Sequence, residues 1–281
     1  MPNCNLLAIG NELLNGEVRD LNLHWLSRHL TRMGFTVTLA AMVRDTPESI
    51  AAGLAFLLNA PPDLLICCGG LGPTEDDLTL DAIAHTLKRP LVPDARARCL
   101  VEAQYDHLLS RGYLHHRGPE AARAKMARLP DGAGALPNPI GTAPGVRLVF
   151  GDTLIFVLPG VPDELNAIFT ASIAPELQNR YQLHVWAQGE LKVHVDDEAE
   201  VARPLHEVGQ RHPDVYLKSL AQPFPAAGAE GLRIITSARA PDAQTAEEIV
   251  TSALRDLHRT LEGYGMRVSH ERITTHTSLG G

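Results

Sequence analysis

The sequence predicts an α/β protein: a three-layer α/β/α sandwich with a mostly parallel sheet, followed by a smaller α+β domain. Three observations predict it. Continuously apolar runs at Asn5–Gly10 and Asp63–Cys68 alternate with segments of helical period. A strand apolar on both faces belongs in a parallel sheet covered on both sides. Near residue 182 the pattern changes to strands and helices of a shorter module.

Each element follows in order. Asn5–Gly10 reads as a buried strand. Leu21–Met33 places Leu23, Leu26, Leu30 and Met33 at helical spacing, and Gly34 ends it. Phe35–Val43 is β-rich. Asp45-Thr46-Pro47-Glu48 is a helix start, with Asp45 or Thr46 as cap and Pro47 in the first turn. Ile50, Leu54, Leu57 and Leu58 form that helix's apolar face, and Pro61-Pro62 precedes the strand Asp63–Cys68. Right-handed crossovers wind this β-α-β-α-β start into layers.

Asp77–Leu87, Asp94–Leu109 and Pro119–Ala127 read as helices. Val146–Phe150 and Thr153–Leu158 form a hairpin about Gly151-Asp152, and Val161–Tyr181 is a helix interrupted near Pro175. The second module reads as strands at Leu183–Val195, Val215–Ser219 and Leu232–Ser237, with helices at Glu198–Arg211 and Ala243–Leu261. Pro223–Gly231 is a loose loop. The domains are expected at 1–181 and 182–266, with 267–281 as a poorly ordered tail.

Composition bounds the function. The chain has 281 residues, 44% hydrophobic and 21% charged, with a formal net charge of −8. That balance argues against broad nucleic-acid binding, which needs a dense basic face, and leaves room for small anionic ligands. Cys4, Cys67, Cys68 and Cys99 include no C-x-x-C pair, so reduced, buried thiols in a cytoplasmic protein are expected. No signal peptide is apparent, and no apolar run is long enough to span a bilayer. The thirteen histidines show no metal-ligand spacing.

The chemistry concentrates on Gly69-Gly70-Leu71-Gly72-Pro73-Thr74-Glu75-Asp76-Asp77, directly after a buried strand. Glycines at a strand's carboxyl end let backbone N–H groups approach a phosphate. The plain alternative is a tight turn that needs positive φ. The following Thr74, Glu75, Asp76, Asp77 and Thr79 crowd carboxylates beside the nest. They would repel a phosphate unless a hard cation intervenes, so Asp76 and Asp77 are candidate metal contacts or water-positioning groups. The loop is neither a Walker A motif nor a dinucleotide fingerprint. Two further strand ends supply Gly10, Asn11, Glu12, Asp20 and Asn22, and Arg44 and Asp45. Asp20 and Asp45 are candidates on position, with helix capping as the plain reading. Asn138–Gly145 is a polar, constrained loop whose Thr142 and amides could close over a ligand, with a plain turn as the rival.

Four ordered segments resemble the N-terminal domain of the competence/damage-inducible protein A (CinA) family. They are Ile9–Gly16 with Asp20-Leu21-Asn22, then Gly69–Thr79, Asn138–Gly145, and Leu158–Leu165. The resemblance implies a molybdopterin-binding-domain fold and a metal-dependent ADP-ribose pyrophosphatase activity. It implies that the module after residue 182 is KH-type, although no Gly-x-x-Gly loop is visible there. Many CinA proteins continue into a nicotinamide-mononucleotide deamidase domain; this chain ends at Gly281, so that activity is expected to be absent. Leu71 replaces the threonine of the wider superfamily's Gly-Gly-Thr-Gly loop, and Asn11 also departs from the family pattern.

The resulting expectation is a metal-dependent nucleotide pyrophosphatase acting on ADP-ribose or a related dinucleotide. The rivals are a protein that binds or adenylylates molybdopterin, and a non-catalytic nucleotide-binding module. Asp77, Asp76, Asp45 and Asp20 are the expected catalytic residues, and Asp77, Asp76 and Asp45 the expected ligands of a divalent Mg, Mn or Co ion. Substrate contacts are expected from Gly10, Glu12 and Asn22, and from Gly69, Gly70, Leu71, Gly72, Pro73, Thr74 and Thr79. Asn138, Gly141, Thr142, Ala143, Pro144, Gly145, Pro159 and Gly160 complete the set. The expected partner is a small nucleotide or pterin rather than nucleic acid or membrane, and the family resemblance suggests a homodimer.

Overall fold

The computed structural model describes residues 1–220 and 231–276. The chain divides into two compact units: Met1–Leu30 with Phe35–Gln182, and Thr31–Gly34 with Leu183–Gly281.

Unit 1 is built on a six-stranded sheet of order β2-β1-β3-β8-β7-β6. Its strands are β1 (Asn3–Ile9), β2 (Thr36–Val43), β3 (Leu64–Cys68), β6 (Gly134–Leu136), β7 (Gly145–Phe150) and β8 (Thr153–Leu158). β2, β1, β3 and β8 run parallel; β7 returns antiparallel to β8, and β6 antiparallel to β7. β3 and β8 are buried at every residue, as continuous apolar runs require. A separate ribbon pairs β4 (Leu91–Pro93) with β5 (Arg128–Pro130). The sequence gives no strand signal for β4, β5 or β6, because three residues are too short to show a period.

Helices cover both faces of the sheet. One face packs its Leu7, Ile9, Leu65, Cys67, Ile155 and Val157 with α3 (Pro47–Leu58), α4 (Thr79–Thr86) and α5 (Ala95–Ser110). The helix α6 (Glu120–Met126) adds Met126 to this core. The opposite face, with Leu6, Ile66 and Phe156 fully buried, lies under α2 (Asn22–Arg32), α7 (Pro162–Ile168) and α8 (Ala174–Arg180). On that side Trp25 and Phe169 meet edge to face at 5.2 Å. Each such leucine or phenylalanine contributes about 1.5–3 kcal/mol by leaving water. A π-turn at Phe169–Ile173 separates α7 from α8, which accounts for the break expected near Pro175. A short helix α1 (Asn11–Leu14) follows β1.

Unit 2 is a four-stranded antiparallel sheet of order β10-β11-β9-β12. Its strands are β9 (Val185–His194), β10 (Tyr216–Leu220), β11 (Leu232–Ala240) and β12 (Arg267–His276). Helices α9 (Ala202–Arg211) and α10 (Ala243–Gly263) bury Val208, Val250, Leu254 and Leu257 with Leu191, Val193 and Ile234. One expectation is corrected here: residues 267–276 are no tail but strand β12, paired along β9. Val268 alternates with exposed Arg267 and Ser269, a period weakened by a bulge between Val268 and His270. The expected loop at 223–231 falls, apart from Gly231, outside the described residues.

No helix among the described residues is long and apolar enough to cross a membrane. Cys4, Cys67 and Cys68 are buried and form no disulfide; Cys99 departs from expectation by being exposed. Burial pushes the Cys68 thiol up to about 12, so it is inert as a nucleophile.

Candidate functional site

The carboxyl ends of β1, β3 and β8 meet at three glycines. Gly69 has φ 111° and Gly70 φ 63°, both in the region that disfavours side chains. A Cβ on Gly69 would overlap the Ile9 carbonyl oxygen, and one on Gly70 would overlap the Thr79 hydroxyl. A Cβ on Gly160 would stand 3.4 Å from the Gly69 Cα. At Gly69 glycine is therefore required by close backbone approach as well as by φ, and at Gly70 by φ and the Thr79 hydroxyl. Gly69 N–H donates to Leu158 O at 3.0 Å, and Thr79, fully buried, donates its hydroxyl to Gly69 O at 2.8 Å. Asn22, 8% exposed, donates to Gly160 O at 2.7 Å and ties the start of α2 to the end of β8.

The loop leaves donors over. Among the described residues the amides of Gly70, Leu71 and Gly72 have no protein acceptor, whereas those of Gly69, Thr74, Asp77 and Thr79 are taken. Gly70 lies on a positive-φ turn, and successive free amides of this kind are the donors that anion-binding nests use. Leu71 itself points into the core, and Pro73–Asp76 are exposed.

Acidic groups frame this nest. Thr74 donates to Asp77 Oδ2 from its amide at 2.9 Å and its hydroxyl at 2.6 Å. Polar neighbours in the same loop, Thr74 first and then the Asp76 amide, hold Asp76 below the usual carboxylate range, while the one Thr74 hydroxyl bond the geometry shows goes to Asp77. Asp45 behaves differently. Burial raises its pKa, and the charges of Asp77, Asp76 and Glu12 raise it further, against the Leu78 amide. Its Oδ1 is buried with no hydrogen-bond partner. Thr46 rather than Asp45 caps α3, by accepting from Ser49 N at 3.3 Å.

Other expectations are resolved differently. Asp20 caps α2, accepting from Leu23 N at 3.1 and 3.3 Å. Among the described residues no group of three or more His, Cys, Asp or Glu side chains is set to hold a metal ion. Thr79 is spent on the Gly69 carbonyl. Asn138 is spent inside its own loop: Nδ2 donates to Ala143 O and Glu164 Oε2, and Oδ1 accepts from the Ile140 and Gly141 amides. Ala143, Pro144 and Gly145 are buried in that turn and the start of β7. Thr142 reaches Met126 Sδ at 3.9 Å, so the Asn138–Gly145 loop lies against α6.

Two residues enter that sequence reasoning missed. Lys125, on α6 next to Met126, donates to the Thr74 carbonyl and brings a cation to the loop. Glu164 is half-buried against Gly141, and burial raises its pKa against the Asn138 hydrogen bond. Only its place in the Leu158–Leu165 segment could have flagged it.

Residues 5–179 match the family model described as a probable molybdopterin binding domain. A protein of Pyrobaculum calidifontis is 37% identical over 92% of this chain and 95% of its own length. A CinA-like protein of Frankia casuarinae is 39% identical over 62% of this chain and 40% of its own length. The crystal structure of CinA from Thermoplasma acidophilum, whose function is unknown, is 31% identical with a TM-score of 0.54. It covers 60% of this chain and 95% of that one. The free-amide nest thus lies inside a segment with known relatives, and the chain belongs to the probable molybdopterin binding domain family, in CinA-like form.

Proposed function

We propose that unit 1 binds a phosphate-bearing pterin of the molybdopterin type on the Gly69–Asp77 loop and serves molybdenum-cofactor metabolism. The observation that carries this reading is the nest itself. Gly70, Leu71 and Gly72 present three amides without acceptors, inside the segment matched by the molybdopterin-binding family model. The amides would take phosphate oxygens, and Lys125 would offset part of the surrounding negative charge.

A second reading is metal-dependent hydrolysis of a phosphoanhydride such as ADP-ribose. Asp45 favours it, through a buried, unpartnered Oδ1 among Asp76, Asp77 and Glu12. These residues fit a hard divalent cation held by one or two carboxylates and completed by ligand phosphates. Asp45 and Asp77 would hold it, and Asp20 would not take part. Such an ion, when bound, polarises a phosphoryl oxygen and acidifies a water. The reading extends to a KH-type unit 2 and to a cytoplasmic homodimer, consistent with the unbridged thiols.

Calorimetric titration with molybdopterin and with ADP-ribose, each with Mg²⁺, Mn²⁺ or Co²⁺, tests both. Phosphorus NMR follows AMP release. Saturable pterin binding without AMP release supports the first reading. AMP release that is lost in Asp45→Asn moves the assignment to the second. Binding of neither ligand overturns both.

A further inference from the structure

We infer that, on the reading that the ligand's phosphate lies on the Gly70–Gly72 amides, Glu164 holds the 2-amino edge of the pterin ring and selects pterins from other heterocycles. Two chains of contact place Glu164 across the site from those amides. On one side a Cβ on Gly160 would stand 3.4 Å from the Gly69 Cα. Glu164 follows in the first turn of α7. The chain from Gly160 to Glu164 reaches at most about 14 Å. On the other side a Cβ on Gly141 would overlap the Glu164 carboxylate. Thr142, the next residue, meets Met126 Sδ at 3.9 Å, and Lys125, beside Met126, donates to the Thr74 carbonyl. These contacts close a ring, with the Gly70–Gly72 amides on one arc and Glu164 on the other.

The Glu164 carboxylate has acceptor capacity to spare. Its Oε2 accepts from Asn138 Nδ2 at 2.7 Å. Among the described residues its Oε1 accepts from no donor, and no cation pairs with it. Burial raises its pKa against the Asn138 bond, so the charged form lacks donors where it sits. Each carboxylate oxygen can accept more than one hydrogen bond, so Oε2 stays available beside Asn138. A pterin presents a ring N–H and a 2-amino group side by side. Those two donors meet the two oxygens of one carboxylate in the fork geometry that a guanidinium uses. Adenine offers one amino group beside a ring-nitrogen lone pair, which a carboxylate repels.

Apolar side chains stand exposed on the same rim. Val161 follows Gly160 and is 53% exposed; Ile140 precedes Gly141 and is 49% exposed. Leu21, 54% exposed, precedes Asn22, whose Nδ2 donates to Gly160 O at 2.7 Å. Large aliphatic side chains gathered beside an under-used carboxylate fit the faces of a planar ring whose polar edge is fixed at one point.

The test is fluorescence titration of the full chain with 6-hydroxymethylpterin phosphate and with its lumazine counterpart, in which oxygen replaces the 2-amino group. Inorganic phosphate serves as competitor. Wild type should bind the pterin at least about tenfold more tightly than the lumazine, the value of a hydrogen bond to a charged group. In Glu164→Gln that preference should fall below about threefold, while inorganic phosphate still displaces both ligands. A merely structural Glu164 would weaken both ligands and leave their ratio unchanged. Val161→Ala should weaken both alike. If circular dichroism shows Glu164→Gln unfolded, Glu164→Ala replaces it, and the wild-type ratio stands as a measurement of its own. Equal affinity of wild type for the two ligands would overturn the role of Glu164, as would a preference that its variants keep. A Glu164-dependent preference without phosphate competition would support that role and overturn the phosphate placement instead. Binding of neither ligand would overturn both.

Discussion

Thr79 donates its hydroxyl to the carbonyl of Gly69 at 2.8 Å, across ten residues of the loop that carries the site. The bond joins the end of β3 to the start of α4 and fixes the nest between them. Thr79→Val keeps the shape and leaves a buried carbonyl unsatisfied, at an expected cost of about 1–3 kcal/mol in denaturant unfolding. Thr79→Ser keeps the donor and should recover all but about 1 kcal/mol, the value of one methyl group. Equal stability of Thr79→Val and wild type would remove this bond from the account.

Asp45 makes a pH prediction. Burial and the charges of Asp77, Asp76 and Glu12 raise its pKa in the folded state. An acid bound more tightly to its proton when folded stabilises the fold at low pH, and that contribution is lost as pH rises through the folded pKa. Asp45→Asn should therefore raise the melting temperature at pH 7. The gain should shrink toward zero as pH falls into the ordinary aspartate range. A variant less stable than wild type at pH 7 would show that Asp45 is structurally paired.

Asn138 organises the Asn138–Gly145 turn through both of its amide atoms. Asn138→Asp keeps the acceptor but faces the Ala143 carbonyl and the Glu164 carboxylate, 2.7 Å from the present Nδ2. The loss at pH 7 should exceed about 2 kcal/mol, from a lost donor and a like-charge contact. It should diminish as pH falls through the carboxylate range, since protonation of either acid restores a donor. A pH-independent loss would assign the effect to backbone strain instead.

Much of unit 1 is legible in the sequence, for a physical reason. β3 and β8 are apolar on both faces, and only a covered parallel sheet buries such runs. The Gly69–Asp77 loop shows itself because Gly69 answers to a close approach of the Ile9 backbone, and Gly69 and Gly70 to positive φ. The roles of the carboxylates are less legible. Asp20 and Asp45 both precede helices, yet Asp20 caps one while Thr46 displaces Asp45 from capping the other. That choice depends on neighbours one residue away in space. Lys125 lies 51 residues from Thr74, so their contact has no local signature.

The proposed function rests on phosphate binding to the amides of Gly70, Leu71 and Gly72. Amide chemical-shift mapping on labelled protein titrated with molybdopterin and Mg²⁺ tests it most directly. The account predicts saturable shifts at Gly70, Leu71 and Gly72, with smaller ones at Asp45, Asp77 and Gly160. Binding whose shifts leave those three amides unmoved, or cluster in unit 2, would contradict it.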